Sequence, residues 1–254
     1  MKIVGSIKIN TNERKKLFLH NLDSLEPISS MLSWDFNIDG IYGEFCRSEI
    51  TRRYSDAKIN LDDTSSYYDI VIEQIDRNND LLFFWQEDHW FICPKKEDFL
   101  YVLDKFQKSG AEKLTITHLV DLWRDKSIHQ VLVDDPLYKE YLVNLNSQKK
   151  LWEKYPDSYL TTLPTIYKKN IAKEILELNK DILKDSKRSK GFELYKERAV
   201  KFLSKRSFIE TIPTFHVLRE VFKSTKDERA ISMKEALQII KLRGEQKNLQ
   251  NLNI

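Results

Sequence analysis

The chain opens on a short apolar run, Ile3 to Ile9, rich in Ile, Val and Ser, which predicts a β-strand. Asn10-Thr11-Asn12 follows, a turn or helix N-cap cluster. From Arg14 to Leu25 the residues Leu17, Phe18, Asn21-Leu22 and Leu25 recur at helical spacing and predict a helix. Ser30 to Ile38 returns to a strand-like run, closed by the turn signal Asp39-Gly40. Residues 65–78 place Tyr68, Val71, Ile72 and Ile75 on one helical face, and Asn78-Asn79-Asp80 breaks it. Leu81-Leu82-Phe83-Phe84-Trp85 is a continuous apolar run of buried-strand length. It stops at Gln86-Glu87-Asp88-His89 and resumes as Trp90-Phe91-Ile92-Cys93. Pro94 opens a further helix to about Ser109, carried by Phe99, Val102, Leu103 and Phe106. Beyond about residue 110 the pattern is mainly helical, with one strand-like patch from Tyr159 to Tyr167.

Strand alternating with helix at this spacing predicts an α/β fold. The expected form is a mostly parallel sheet flanked by helices, with a mainly helical C-terminal portion. There is no internal repeat and no flexible linker long enough to separate domains. Composition agrees with a packed core. Thirteen Phe, 11 Tyr and 5 Trp exclude a disordered chain, and only 6 Gly and 6 Pro exclude a collagenous one. No apolar run reaches the ~18 residues that span a bilayer. The start of the chain lacks the apolar h-region and cleavage site of a signal peptide. Two cysteines, Cys46 and Cys93, make no disulfide framework, so a reduced, cytoplasmic setting is expected. Phosphate-binding glycine motifs, zinc spacings and the G-x-S-x-G elbow are all absent.

Charge is uneven along the chain. Residues 1–146 carry 18 basic and 25 acidic side chains, and residues 147–254 carry 24 and 14. The basic half could meet phosphates, nucleic acid or an anionic membrane surface. Its bases are interleaved with acids, however, as on ordinary solvated helices. The amphipathic stretch 192–203 could touch a membrane through Lys196, Arg198 and Lys201, or pack on a neighbour.

The sharpest chemical feature is Glu87-Asp88-His89. An apolar strand ending in two acids and an imidazole needs counter-charges, hydrogen bonds, a metal or water there. In open α/β sheets ligands bind outside the carboxyl ends of strands, which is where this cluster falls. Carboxylates with an imidazole suit Mg2+ or Mn2+, which can neutralise a diphosphate leaving group. The plainer alternative is a polar turn in which His89 bonds backbone groups. Trp34, Trp85 and Trp90 flank these strand ends, either as core or as stacking platforms.

Taken together, the first ~110 residues resemble the nucleotide-binding half of GT-A glycosyltransferases, family 2-like. Ile7-Lys8-Ile9-Asn10-Thr11-Asn12-Glu13-Arg14 is similar to the family's first strand and its "P-T-x-N-R" turn, without the proline. Ser33-Trp34-Asp35-Phe36-Asn37 resembles the second strand, which carries an acid toward the nucleotide. Phe83 to His89 resembles the strand ending in the metal-binding "D-x-D", here not intact. Leu163-Pro164-Thr165-Ile166-Tyr167 resembles the acceptor-side strand, followed by a helix at 169–178.

The resemblance implies roles. Residues 1–110 would form the nucleotide-sugar-binding half of a GT-A-like domain. Residues 111–254 would form the acceptor-side half and the helical basic region. Thr11, Asn12 and Arg14 would hold the nucleotide, and Asp35 or Asp39 would accept from base or ribose. Glu87 and His89, with Asp88 beside them, would hold Mn2+ or Mg2+ across the diphosphate. His216 could return as a third ligand, or be a partly buried His in Phe215-His216-Val217-Leu218. Asp157 and Glu210 are the candidate general bases. The implied activity is transfer of a sugar from a nucleotide sugar to a hydroxyl of a glycan or lipid-linked acceptor. Surface polysaccharide or glycoconjugate synthesis is its expected setting, with peripheral membrane contact through the basic half. The alternative is a non-catalytic protein whose basic half binds a polyanion. Nucleic acid is the weaker form of that alternative, because the aromatics there fall at helix-core spacing.

Overall fold

The computed structural model describes residues 1–61, 64–78, 81–91, 93, 95–116, 130–154, 165–184, 206–211, 218–222, 230–232 and 238. Its first half alternates strand and helix: β1 (Lys2–Lys8), α1 (Asn12–Ser24), a 3-10 turn (Glu26–Met31), β2 (Ser33–Asp39), α2 (Gly43–Arg53), β3 (Lys58–Asn60), α3 (Tyr67–Asp76) and β4 (Leu82–Phe84). Then come β5 (His89–Phe91), α4 (Lys96–Lys108), β6 (Lys113–Thr115), the hairpin β7 (Gln130–Asp134) and β8 (Tyr138–Leu142), and α5 (Leu145–Lys154). The last elements are β9 (Thr165–Tyr167), α6 (Lys169–Leu178), α7 (Lys180–Lys184), β10 (Ser207–Thr211), β11 (Leu218–Phe222) and β12 (Ala230–Ser232).

Nine strands form one sheet in the order β3-β2-β1-β4-β9-β6-β10-β8-β7. Strands β3, β2, β1 and β4 are mutually parallel, while β9 runs antiparallel between β4 and β6. A smaller sheet, β12-β11-β5, branches from the turn after β4. The period-two alternation of each strand sends side chains to both faces. Ile3, Ile7, Phe83 and Trp85 pack with Phe18 and Leu22 of α1, Ile50 of α2 and Phe99 and Val102 of α4. Val4, Leu82 and Phe84 pack with Tyr67 and Val71 of α3 and Ile171 and Ile175 of α6. The result is a three-layer α/β arrangement with one core on each face of the sheet.

The helices read from sequence at 14–25, 65–78, 94–109 and 169–178 are α1, α3, α4 and α6. Helix α2 escapes the pattern because few of its side chains, Cys46 and Ile50 among them, are buried apolar ones. Beyond residue 110 the chain holds more strand than its pattern predicts. These strands are three to five residues long, and β7 is an edge strand with Leu132 and Val133 exposed, so none carries a clean alternation. Of the strand-like patch 159–167, residues 165–167 form β9, and the rest lies outside the described residues, as does the stretch 192–203. Among the described residues no helix is long and apolar enough to cross a membrane.

Candidate functional site

The chain leaves β1, builds β2 and β3 to one side, then returns to place β4 on the other side of β1. The topology therefore reverses between β1 and β4, and open α/β sheets bind their ligands outside the carboxyl ends of strands at such a reversal. The loop after β1 and the turn after β4 meet there.

Thr11 is the N-cap of α1, and its Oγ1 accepts from the Arg14 amide at 3.2 Å. Asn10 accepts through Oδ1 from the Ile41 amide at 3.1 Å, and Asn12 accepts from the Tyr42 hydroxyl at 2.7 Å. These bonds tie the β1 loop to the β2 loop. Asp39 closes β2; its carboxylate pairs with Lys8 and accepts from the amide of Gly40. Gly40 has φ +98°, and a Cβ there would lie 2.4 Å from the Ile9 carbonyl oxygen. Only glycine fits this close approach of the two loops.

The turn Gln86-Glu87-Asp88 packs against α1. Glu87 is buried, and its carboxylate pairs with the Arg14 guanidinium. The same guanidinium lies 3.6 Å from Asp88. The Asn21 amide, two turns further along α1, donates to the Glu87 carbonyl. His89 is buried, its Nδ1 accepts from the Gln86 amide at 3.1 Å, and its carbonyl accepts from the Trp85 indole at 2.9 Å. An Nδ1 that accepts is unprotonated, so the neutral ring carries its proton on Nε2, 3.7 Å from Asp88. Burial pushes the His89 pKa down to about 4, against the opposing pull of Asp88.

The structure thus brings Thr11, Asn12, Arg14, Asp39, Glu87, Asp88 and His89 to one end of the sheet. Asp35 stands apart from them. It is fully buried, and its carboxylate accepts from Arg77 Nε at 2.7 Å and from Asn78 Nδ2 at 2.9 Å. It joins β2 to the end of α3. Glu210 lies near the carboxyl end of β10, three strands from β4, or about 14 Å across the sheet. Asp157 and His216 lie outside the described residues. Trp34, Trp85 and Trp90 are buried in the core.

The residues expected to hold a metal, Glu87 and His89, have other partners in this structure. Glu87 is engaged by Arg14, and the His89 lone pair that could bind a cation is engaged by the Gln86 amide. Among the described residues no group of three or more His, Cys, Asp or Glu could hold a metal ion. The sequence pattern alone gives Asn21 no role at this turn. Its visible signal is a polar residue between Phe18 and Leu22 on a buried helix face.

This three-layer sheet, with a reversal between β1 and β4 and a small side sheet after β4, is a GT-A-like α/β fold. Comparison with solved structures agrees. Residues 1–349 of S. aureus TarS superpose with a TM-score of 0.53 at 12% identity over 94% of this chain. This chain spans 63% of that one, less than two thirds of its length. An apo UDP-glucose pyrophosphorylase superposes with a TM-score of 0.50 at 10% identity, covering 97% of this chain and 98% of that one. No protein-family model and no curated protein matches the sequence.

Proposed function

We propose that the protein is a glycosyltransferase that moves a sugar from a nucleotide sugar to an acceptor hydroxyl. The observation that carries this reading is the meeting of the β1 loop and the Glu87-Asp88 turn at the reversal between β1 and β4. A nucleotide laid across the carboxyl ends of β2, β1 and β4 meets Asp39 at one side and Thr11, Asn12 and Arg14 at the middle. The positive end of α1 faces this region and favours a diphosphate, although its Arg14 amide is taken by Thr11. The acceptor would approach from the β6 and β10 side. There Glu210 would take the hydroxyl proton as the oxygen attacks the anomeric carbon and the nucleoside diphosphate leaves; Asp157, outside the described residues, is the other candidate base. The likeness to TarS supports the same reading at the level of fold.

The fold is shared with UDP-glucose pyrophosphorylase, so a nucleotidyltransferase is the second reading. The loop after β1 weighs against it. Asn10-Thr11-Asn12 contains no glycine, and Thr11 turns its side chain back on its own helix. A backbone cradle for a triphosphate needs closer approach than this loop gives.

The test is a thermal-shift screen of UDP-, GDP-, CMP- and dTDP-sugars, each with EDTA and with Mn2+. A ligand at about 100 times its Kd stabilises the native state by about 2.7 kcal/mol. One nucleotide class should raise the melting temperature, and the corresponding sugar should then pass to an acceptor without pyrophosphate as co-substrate or product. A flat screen together with salt-dependent binding of a polyanion would favour the non-catalytic alternative instead.

A further inference from the structure

We infer that Arg14 occupies the place of a divalent cation at the Glu87-Asp88 turn, so that this site binds its nucleotide sugar without a metal. The inference rests on the nucleotide-sugar reading above. Two adjacent carboxylates at the end of a buried strand need a positive charge. The structure supplies it from within the chain: one guanidinium pairs with Glu87 and stands 3.6 Å from Asp88. A guanidinium keeps its charge at every physiological pH and presents a rigid fork of donors. It is a permanent cation on the first turn of α1, whose cap is fixed by Thr11.

His89 and Asn21 are arranged around that cation. His89 cannot offer Nδ1, which accepts from the Gln86 amide, and its Nε2 bears the proton. A metal-bound imidazole needs an unprotonated nitrogen facing the ion. Asn21 holds the backbone of Glu87 from α1, so the turn and the helix that carries Arg14 are locked together. Arg14 is also the more exposed member of the pair, with a third of its side chain open to solvent while Glu87 is almost wholly covered. Its outer edge can therefore face a phosphate while its inner edge holds the acid. The negative charge of a leaving diphosphate would be met by this edge and by the positive end of the α1 dipole.

The test measures Mn2+ binding directly. Aqueous Mn2+ is titrated with the full chain and followed by electron paramagnetic resonance. The affinity of UDP, GDP, CMP and dTDP is measured by calorimetry in EDTA and in Mg2+. For the wild-type protein the aqua-ion signal should persist through an equimolar excess of protein. The affinity of the preferred nucleotide should differ by less than about threefold between the two buffers. Arg14→Gln keeps much of the side chain and removes its charge, and it should take up about one equivalent of Mn2+. Its melting transition confirms that it folds, and Arg14→Lys should return to the wild-type response. Uptake of Mn2+ by the wild type, nucleotide binding lost in EDTA, or no uptake by folded Arg14→Gln would each overturn the inference. If no nucleotide binds in either buffer, the nucleotide-sugar reading falls, and the Mn2+ titrations alone then decide what Arg14 replaces.

Discussion

Arg14, on the first turn of α1, is paired with Glu87, in the turn that follows β4. This single contact joins the two loops between which the sheet topology reverses. One member comes from a polar turn that also caps a helix, the other from the abrupt end of an apolar strand. The pair therefore bears both on stability and on the site where the two loops meet.

For stability, the two members are unequal. Removing Arg14 leaves a carboxylate buried without its counter-charge, whereas removing the charge of Glu87 leaves a guanidinium that can reach water. Breaking a buried pair from one side costs about 3 kcal/mol. Arg14→Ala should cost about that much, and Glu87→Gln about 1 kcal/mol less. The double variant should be less destabilised than the sum of the two. Urea unfolding of the four proteins measures the coupling.

Asp35 tests the separation of scaffold from site. Its carboxylate is wholly buried and taken by Arg77 and Asn78, away from the Arg14 cluster. Asp35→Ala should lower stability by about 2–3 kcal/mol through the unpaired groups it leaves. Nucleotide affinity, measured on the folded fraction by calorimetry, should stay within about twofold. Asp39→Ala should show the opposite pattern, with affinity falling about tenfold and stability changing little, since its Lys8 partner is half exposed.

His89 gives the protein a defined acid limit. Its pKa is held down at about 4 in the folded state by burial, against about 6.5 when unfolded. Between these values the unfolded chain binds the extra proton, so stability rises with pH and is lost as pH falls from about 6.5 toward 4. The full contribution is on the order of 3 kcal/mol. His89→Gln should lack it, and the difference between wild-type and variant unfolding curves across that window measures it.

The first half of the fold is legible in the sequence because its strands are apolar runs and its helices have clear faces. The acidic strand end is legible for the same reason: Glu87-Asp88-His89 interrupts an apolar run that would otherwise be all core. Three things are hidden. Helix α2 buries too few apolar residues to mark its face. Strands β6 to β12 are short, and those that join the main sheet at β6, β9 and β10 pair with partners far along the chain. The occupant of the acidic turn is hidden too, because Arg14 reads as a member of the β1 loop and only the fold brings it to Glu87. Spacing points to a metal there, and what it lacks is the contact between α1 and the turn after β4.

Gly40 makes the last prediction. Its φ of +98° lies in the region open to glycine, and a Cβ would meet the Ile9 carbonyl oxygen at 2.4 Å. That carbonyl also accepts from the Tyr42 amide at 3.2 Å, and the Tyr42 hydroxyl donates to Asn12. An added methyl must therefore push the β2 loop away from the β1 loop, besides the strain of about 1–3 kcal/mol at the backbone itself. Gly40→Ala should lose at least about 2 kcal/mol of stability. Because the displaced loop carries both Asp39 and the Tyr42 contact to Asn12, nucleotide affinity should fall about tenfold. Gly110→Ala is the control: a Cβ there meets nothing within 4 Å. It should leave affinity unchanged, and calorimetry on the two variants side by side separates a general glycine effect from the specific contact of the two loops.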